Sequence, residues 1–389
     1  MSELRVDTIN EATSGEGTTI SKFANPASSF RNLIINGDMQ IAQRGTSQTG
    51  VANNSNEGYN TLDRFALNFF GNEGGAATVS QDTTVPSDTT YGKFSKSIKI
   101  DVTTADTSIG VTGSHSLQQN IEASFIHHSG WDYTNSSSKI TLSFWARSVK
   151  AGDYCVNLQA TDATRYFVAQ YTLVANTWKH IEVVIPGNSD LVFNDDNGEG
   201  LQVRWMLSTG DDRDGATADT WFNPGSNFFQ STSSQVNFFD STDNEFFLTG
   251  VQLEVGDIAT VFEHLPHDVQ LKRCQRYCFV NHLYSGVGAT GGAGSGQSNT
   301  TTRADIPYHF PTTMRAIPTL SVSDATKLRL QHAGSITTLS SIAGEGDGTN
   351  GSFHTIMLYC TVSSGLTAGR AVNLIHNISS VSITCDSEL

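Results

Sequence analysis

Apolar and polar residues alternate in short runs along most of the chain between residues 31 and 262. Successive side chains of a β-strand point to opposite faces, so this alternation predicts strands with one buried face. Polar clusters of turn-forming residues separate the runs, and no apolar helical pattern of 10–15 residues intervenes. We predict two antiparallel sheets packed as a β-sandwich or jelly roll. The residues predicted to face its core are Ile98, Ile100, Val102, Ile140, Leu142, Phe144, Ala146, Tyr154, Val156, Leu158, Phe167, Ala169, Tyr171, Leu173, Ile181, Val183, Ile185, Leu201, Val203, Trp205, Leu207, Phe247, Val251 and Leu253.

The pattern changes after this region. Residues 265–279 are predicted to form a linker helix, because Pro266 suits a first helical turn and Leu271, Cys274 and Cys278 recur at spacings of three and four. Such a short apolar stripe could pack around a symmetry axis.

A second, smaller β-domain is predicted at the end of the chain. Residues 285–302, SGVGATGGAGSGQSNTTT, are predicted to form a flexible Gly/Ser/Thr loop. Alternating apolar residues then return and indicate strands. The residues that carry this pattern are Ile317, Leu320, Val322, Leu328, Leu330, Ile356, Leu358, Cys360, Val362, Val372, Leu374, Val381 and Ile383.

The first 30 residues are polar and cannot bury a core of their own. We predict that they form an anchoring arm that docks on sister chains or a neighbouring protein. The apolar residues available for this docking are Leu4, Val6, Ile9, Ile20 and Phe23. The predicted organisation is an arm over 1–30, a jelly roll over 31–262, a linker helix over 263–284 and a C-terminal β-domain over 285–389.

Composition agrees with a β-rich chain and excludes some partners. Charged residues make up 16% of the chain and there are 35 glycines, against an average of about 25% charged residues. The formal net charge of −15 repels phosphate, so we predict no nucleic-acid partner. No segment has the length of a signal peptide's apolar region or the ~20 apolar residues of a membrane helix. We therefore expect a soluble chain that is assembled in the cytoplasm and does not insert into membranes.

Metal and thiol chemistry is not indicated either. Of the five cysteines, only Cys274 and Cys278 are close in sequence, and a four-cysteine zinc site needs a second close pair. The pairs His127–His128 and His264–His267 lack matching partner ligands, and adjacent histidines on a strand would point to opposite faces. We predict free thiols, no cofactor and no metal site.

Short motifs along the chain add a family resemblance. The motifs are NLIINGDMQIAQ at 32–43, Tyr59 with DRF at 63–65, LQQNIE at 117–122, ITLSFWARSVK at 140–150, TWK at 177–179, GVQLEVGDIATVF at 250–262, RCQRY at 273–277 and PTTMRAIPTL at 311–320. In their order along the chain, these motifs resemble those of the carbohydrate-binding-module-like jelly rolls of bacteriophage tail fibre proteins and of the segments that follow them.

This resemblance implies a structural virion protein, located in the tail, that attaches the particle to host surface polysaccharide. The segment SELRVDTI at 2–9 is similar to the start of many such fibres, which implies that the arm binds other tail or virion proteins. Related jelly rolls often hold a structural calcium, but the corresponding positions here carry Gln40, Thr249 and Gly250, which lack the hard oxygen ligands calcium prefers. Because two β-domains are too thin to form a stiff projection alone, we predict a homotrimer. The C-terminal β-domain would be its distal, receptor-facing part.

Four aromatic residues in turn-like surroundings are candidates for glycan binding: Trp131, Tyr133, Trp221 and Phe222. Exposed rings stack against the apolar faces of sugars. The alternative is that these rings pin long loops onto the sandwich, because large aromatic side chains contribute most when they are buried.

The sequence contains no recognisable catalytic motif, neither G-x-S-x-G, H-E-x-x-H nor a P-loop lysine. We therefore predict no catalytic residues and no enzyme activity. Two alternatives remain open: a fibre-borne polysaccharide depolymerase, and a capsid fibre or decoration protein.

Overall fold

The computed structural model describes residues 30–71, 73–225, 228–283, 291–345, 352–377 and 380–389. The predicted anchoring residues Leu4, Val6, Ile9, Ile20 and Phe23 lie outside these ranges, so the arm stays a prediction.

The described residues form 22 β-strands and two short α-helices. The first twelve strands are β1 Ser47–Val51, β2 Ala66–Phe70, β3 Ala76–Asp82, β4 Ser97–Thr104, β5 Ser114–Glu122, β6 Lys139–Ser148, β7 Gly152–Ala160, β8 Arg165–Leu173, β9 Lys179–Pro186, β10 Glu199–Thr209, β11 Trp221–Phe222 and β12 Glu245–Val255. The other ten are β13 Cys278–Leu283, β14 Gly292–Ser298, β15 Arg303–His309, β16 Thr319–Val322, β17 Leu328–His332, β18 Ser335–Thr338, β19 Ser341–Glu345, β20 Thr355–Thr361, β21 Ala371–His376 and β22 Val381–Asp386. The helices are α1 Ala123–His127 and α2 His267–Gln275.

Strands β1 to β12 build a jelly-roll sandwich of two six-stranded sheets, which we call the first sandwich. One sheet has the order β1-β3-β4-β12-β6-β9 and the other the order β11-β8-β7-β10-β5-β2. Neighbouring strands are antiparallel, as in the pairing of β10 with both β5 and β7. The prediction of an all-β chain with an antiparallel jelly roll, a short helix and a smaller β-domain is confirmed.

The alternation predicted most of the core correctly. Phe144 of one sheet and Trp205 of the other are fully buried, and their rings meet edge-on with centroids 5.8 Å apart. Phe144 also contacts Tyr171, at 5.3 Å. Aromatic side chains thus fill the space between the two sheets.

One predicted core residue, Phe247, faces the other way. The core residues of β12 are Phe246 and Leu248 before an irregularity in the strand, and Val251 and Leu253 after it. The irregularity includes Gly250, whose φ of 64° favours glycine. An extra residue at a bulge exchanges the two faces of a strand, which is why simple alternation misplaced Phe247.

Strands β13 to β22 form the second sandwich, from a three-stranded sheet β13-β22-β16 and a seven-stranded sheet β18-β17-β21-β14-β15-β20-β19. Its core contains residues of both sheets, among them Ile383 of the smaller sheet and Leu358 and Leu374 of the larger one. The predicted strands around these positions are confirmed.

The predicted Gly/Ser/Thr loop is wrong over part of its length. Residues Gly292–Ser298 form β14, which lies inside the seven-stranded sheet between β21 and β15. A Cβ atom on Gly296 would lie 2.1 Å from the carbonyl oxygen of Asp305 and 2.9 Å from the Cα of Ile306. Glycine at this position therefore allows the backbone of the neighbouring strand to approach closely. Because glycine has a low strand propensity, the sequence of this segment looked like a loop.

The predicted helix is confirmed but is shorter than expected. It covers His267–Gln275 and follows Pro266, whereas Cys278 begins β13. Cys274 and Cys278 therefore do not share a helix face as predicted. The predicted linker segment 263–284 also includes β13, which pairs with β22 of the second sandwich. Nothing tests the predicted domain boundaries beyond this, and they stay a prediction.

A buried polar junction joins α2 to the first sandwich. Glu122, at the end of β5, is fully buried. Its carboxylate accepts hydrogen bonds from Arg276 Nε at 2.7 Å, from Arg276 Nη2 at 2.6 Å and from the Tyr277 hydroxyl at 2.5 Å. The guanidinium of Arg64, also fully buried, lies over the Tyr277 ring at 3.5 Å.

The last described residues extend this junction. Arg64 pairs with Glu388, and Arg44 pairs with Asp386 at 2.7 Å and with Glu388 at 3.3 Å. Arg315 donates to the carbonyl oxygen of Glu388 at 2.9 Å. Charges buried in this way are stable only while each retains its partner.

Candidate functional site

The outer face of the sheet β11-β8-β7-β10-β5-β2 carries an open groove with a volume of about 530 Å³. The side chains of Val203 and Trp205 in β10 point into the core. Because successive side chains of a strand alternate between its faces, Arg204 lies on the outer face and makes the floor of the groove polar. In the strand register, Arg204 is opposite Gln118 of β5 and Asn157 of β7. Three strands thus contribute polar side chains to one surface.

Arg204 is the central charged group of this floor. Its Nη2 donates to Gln159 Oε1 at 2.8 Å and also bonds to Gln202 Oε1. Burial lowers the pKa of Arg204, while Tyr166 and Glu199 act in the opposite direction. An arginine stays protonated at neutral pH in spite of such shifts. The floor therefore presents a positive charge and amide groups side by side.

Two exposed phenylalanine rings also line the groove. Phe70 is 54% exposed and Phe228 is 40% exposed, which is unusual for rings of this size. The guanidinium of Arg213 lies 4.7 Å from the centre of the Phe70 ring and 5.5 Å from that of Phe228. Arg213 is itself held by a 3.1 Å bond from its Nε to the carbonyl oxygen of Thr112. The arginine thereby keeps both rings in place beside the polar floor.

Such a surface can bind a ligand that has both apolar faces and many polar groups. The rings offer apolar area, while Gln118, Gln159 and Arg204 offer donors and acceptors. Among the described residues that line the groove, Glu57 supplies the carboxylate.

The sequence-predicted residues Trp131 and Tyr133 lie elsewhere, close to each other. Trp131 is only 3% exposed, and its Nε1 donates to the carbonyl oxygen of Ser138 at 3.4 Å. Tyr133 is half-buried and packs edge-on against Phe193, with ring centroids 5.0 Å apart. Burial leaves Trp131 without a free face for stacking and agrees with the alternative that these rings pin a loop onto the sandwich.

Trp221 and Phe222 form β11, at the edge of the groove-bearing sheet. The indole Nε1 of Trp221 donates to the carbonyl oxygen of Pro186 at 2.7 Å. The ring of Phe222 packs against Tyr166, which lines the groove, at a centroid distance of 6.1 Å. Phe222 therefore supports the groove from the side. Glycan binding by these two residues and by Tyr133 stays a prediction.

Sequence reasoning missed Phe70, Phe228, Arg204 and Arg213. Alternation within β10 places Arg204 on the outer face, and that signal was available. The aromatic and cationic partners come from separate parts of the chain, and only the strand register brings them to one surface.

Several other expectations concern chemistry away from the groove. All five cysteines are buried and unpaired, as predicted, and burial raises the pKa of Cys360 and Cys385 to about 12. His127 and His128 lie at the end of α1 rather than on a strand, with ring centroids 5.0 Å apart. The described part of the chain contains no group of three or more His, Cys, Asp or Glu side chains placed to hold a metal ion. None of its helices has the length and apolar character needed to cross a membrane.

The fold defines an all-β protein whose jelly-roll sandwich carries a groove lined by polar and aromatic side chains. No family model and no curated protein matches the chain.

Solved structures of carbohydrate-binding modules with jelly-roll folds are similar to more than half of this chain. A family 4 module is 15% identical, with 57% of this chain and 98% of that chain covered and a TM-score of 0.28. A family 61 module in complex with β-1,4-galactotriose is 10% identical, with coverages of 58% and 99% and a TM-score of 0.26. A xylan-binding domain of family 22 is 15% identical, with coverages of 55% and 96% and a TM-score of 0.26.

Proposed function

We propose that the groove on the first sandwich binds a glycan. The observation that carries this proposal is the pair of exposed rings, Phe70 and Phe228, beside a floor of amide and guanidinium groups. Sugars combine apolar ring faces with hydroxyl groups, and this combination matches both parts of the surface.

We also propose that the protein is a structural virion component, a homotrimeric phage tail fibre that attaches the particle to host surface polysaccharide. The ordered motifs between residues 32 and 320 support this role. Three copies of a weak glycan site would bind a repetitive polysaccharide with increased avidity. Hydrolysis of a glycosidic bond usually uses two carboxyl groups. The described residues that line the groove include one carboxylate, that of Glu57, which supports binding without catalysis.

The groove proposal predicts that removing either ring weakens glycan binding. We expect Phe70→Ala and Phe228→Ala each to reduce affinity about tenfold, roughly 1.4 kcal/mol, because a sugar face loses its apolar partner. The measurement is binding to an array of bacterial capsular polysaccharides and lipopolysaccharide O-chains, followed by titration of the strongest ligand. Phe353→Ala is the matched control, since Phe353 is 45% exposed but belongs to the second sandwich. Equal binding by all four proteins would place the glycan site elsewhere.

The trimer proposal predicts the molecular mass of the purified protein in solution. Size-exclusion chromatography with light scattering is expected to give about three times the chain mass of 41.9 kDa. A single monomeric peak at micromolar concentration would contradict the trimer and leave the groove proposal unaffected.

A further inference from the structure

The charge of the groove is opposite in sign to that of the chain. The chain has a formal net charge of −15, whereas the described lining residues include Arg204, Arg213 and one carboxylate, that of Glu57. Glu57 is exposed, and its Oε1 accepts from the backbone N–H of Asn54 at 3.4 Å. A concave site with excess positive charge concentrates anions from solution.

One nitrogen of the Arg204 guanidinium lacks a hydrogen-bond acceptor. Among the described residues, none accepts from its buried Nη1, although the Tyr166 side chain lies near the guanidinium and interacts with it. The Oε1 atom of Gln230, a residue that also lines the groove and is 7% exposed, has no donor among the same residues. Buried polar atoms are nearly always paired, and a cationic N–H without an acceptor is especially unfavourable. An acceptor oxygen that enters the groove would pair with Arg204 Nη1, and a hydroxyl of the same ligand could donate to Gln230 Oε1.

Among the described residues, carboxylates near the two arginines do not fill this role, although Glu199 and Asp212 offset part of the charge of Arg204 and Arg213, respectively. Glu199 accepts from Thr161 Oγ1 at 2.9 Å and from Gln202 Nε2 at 2.8 Å. Three aspartates flank Arg213 in sequence, but Asp211, Asp212 and Asp214 are not among the residues that line the groove. The burial of both guanidinium groups lowers the pKa of Arg204 and of Arg213, although both remain cations at neutral pH.

We propose that the groove selects an anionic glycan, in which a sugar carboxylate pairs with Arg204 and Arg213 while the sugar rings stack on Phe70 and Phe228. This inference rests on the proposed glycan binding at the groove. A guanidinium group matches a carboxylate in shape and charge, and hydrogen bonds between charged partners are roughly twice as strong as neutral ones. A sugar hydroxyl could satisfy Nη1 as well, but it would leave the excess positive charge unbalanced.

The test uses the full chain and matched pairs of polysaccharides. Bacterial capsular polysaccharides and O-chains that contain uronic or sialic acids are immobilised in native form and after chemical reduction of their carboxyl groups to alcohols. The wild-type protein is expected to bind the native member of a pair at least tenfold more tightly. Arg204→Gln is expected to abolish this preference, and Arg204→Lys to retain part of it. Arg147→Gln, on the outer face of the opposite sheet beside Phe247, is expected to leave the preference unchanged.

The outcomes separate the inference from the function on which it rests. Equal binding of native and reduced glycans, with loss of both in Phe70→Ala, would overturn the anionic preference and leave glycan binding at the groove intact. A native preference that persists in Arg204→Gln would also overturn the inference. If neither member of any pair binds, and neutral glycans on the same array do not bind either, both proposals fail.

Discussion

Replacing Glu122 by alanine is expected to lower the free energy of unfolding by about 3–5 kcal/mol, the range for a buried ion pair that loses one partner. The variant leaves Arg276 and the Tyr277 hydroxyl without the carboxylate that accepts from both. Arg276 is partly exposed and can recruit water, so the lower end of the range is the better expectation. Urea unfolding, followed by tryptophan fluorescence and by circular dichroism, measures the change.

The control for this experiment is Asp190→Ala. Asp190 pairs with Arg165 at 3.0 Å on the surface, where its side chain is 56% exposed. Because exposed pairs contribute little, we expect a change within about 1 kcal/mol. If Glu122→Ala were no more destabilising than Asp190→Ala, the junction between α2 and the first sandwich would not depend on its buried charges.

Trp205→Ala is expected to cost about 3–5 kcal/mol of stability, as for other large aromatic residues removed from a core. The Trp205 ring is fully buried, and its centroid lies 6.1 Å from that of the Phe65 ring and 5.8 Å from that of the Phe144 ring. Removal of this ring therefore leaves a cavity between the two sheets. Thermal and urea unfolding of the variant provide the measurement.

The control for Trp205→Ala is a substitution of the neighbouring residue, Arg204. Arg204→Gln, on the outer face of the same strand, is expected to change stability by about 1 kcal/mol or less, because it alters hydrogen bonds of the polar floor and leaves the core intact. The two variants should therefore separate stability from binding. A large loss of stability in Arg204→Gln, or none in Trp205→Ala, would show that the inner and outer faces of β10 are assigned incorrectly.

The alternation of side chains was sufficient to predict the fold class and most of the core. Val203 and Trp205 face inward because strand geometry repeats every two residues, and this period is visible in the sequence itself. Where the period is broken, the prediction failed. The bulge near Gly250 reversed the orientation of Phe247, and the glycine-rich β14 resembled a loop because its side chains carry no apolar pattern.

The proposed binding surface could not be predicted in the same way. Two of the four residues proposed from the sequence, Trp131 and Tyr133, lie in a loop packed onto the sandwich, whereas Phe70 and Phe228 were overlooked because a single exposed ring has no signature in the sequence.

The sequence by itself determined which side of each regular strand is apolar, where the chain passes from one β-region through a short helix to another, and that a mainly helical architecture is not favoured. Only the tertiary structure decided which polar side chains share a surface. The physical reason is that alternation is a local property, whereas the meeting of Arg204 with Gln118 and Asn157 depends on the register between strands. That register is set by contacts between residues far apart in the chain.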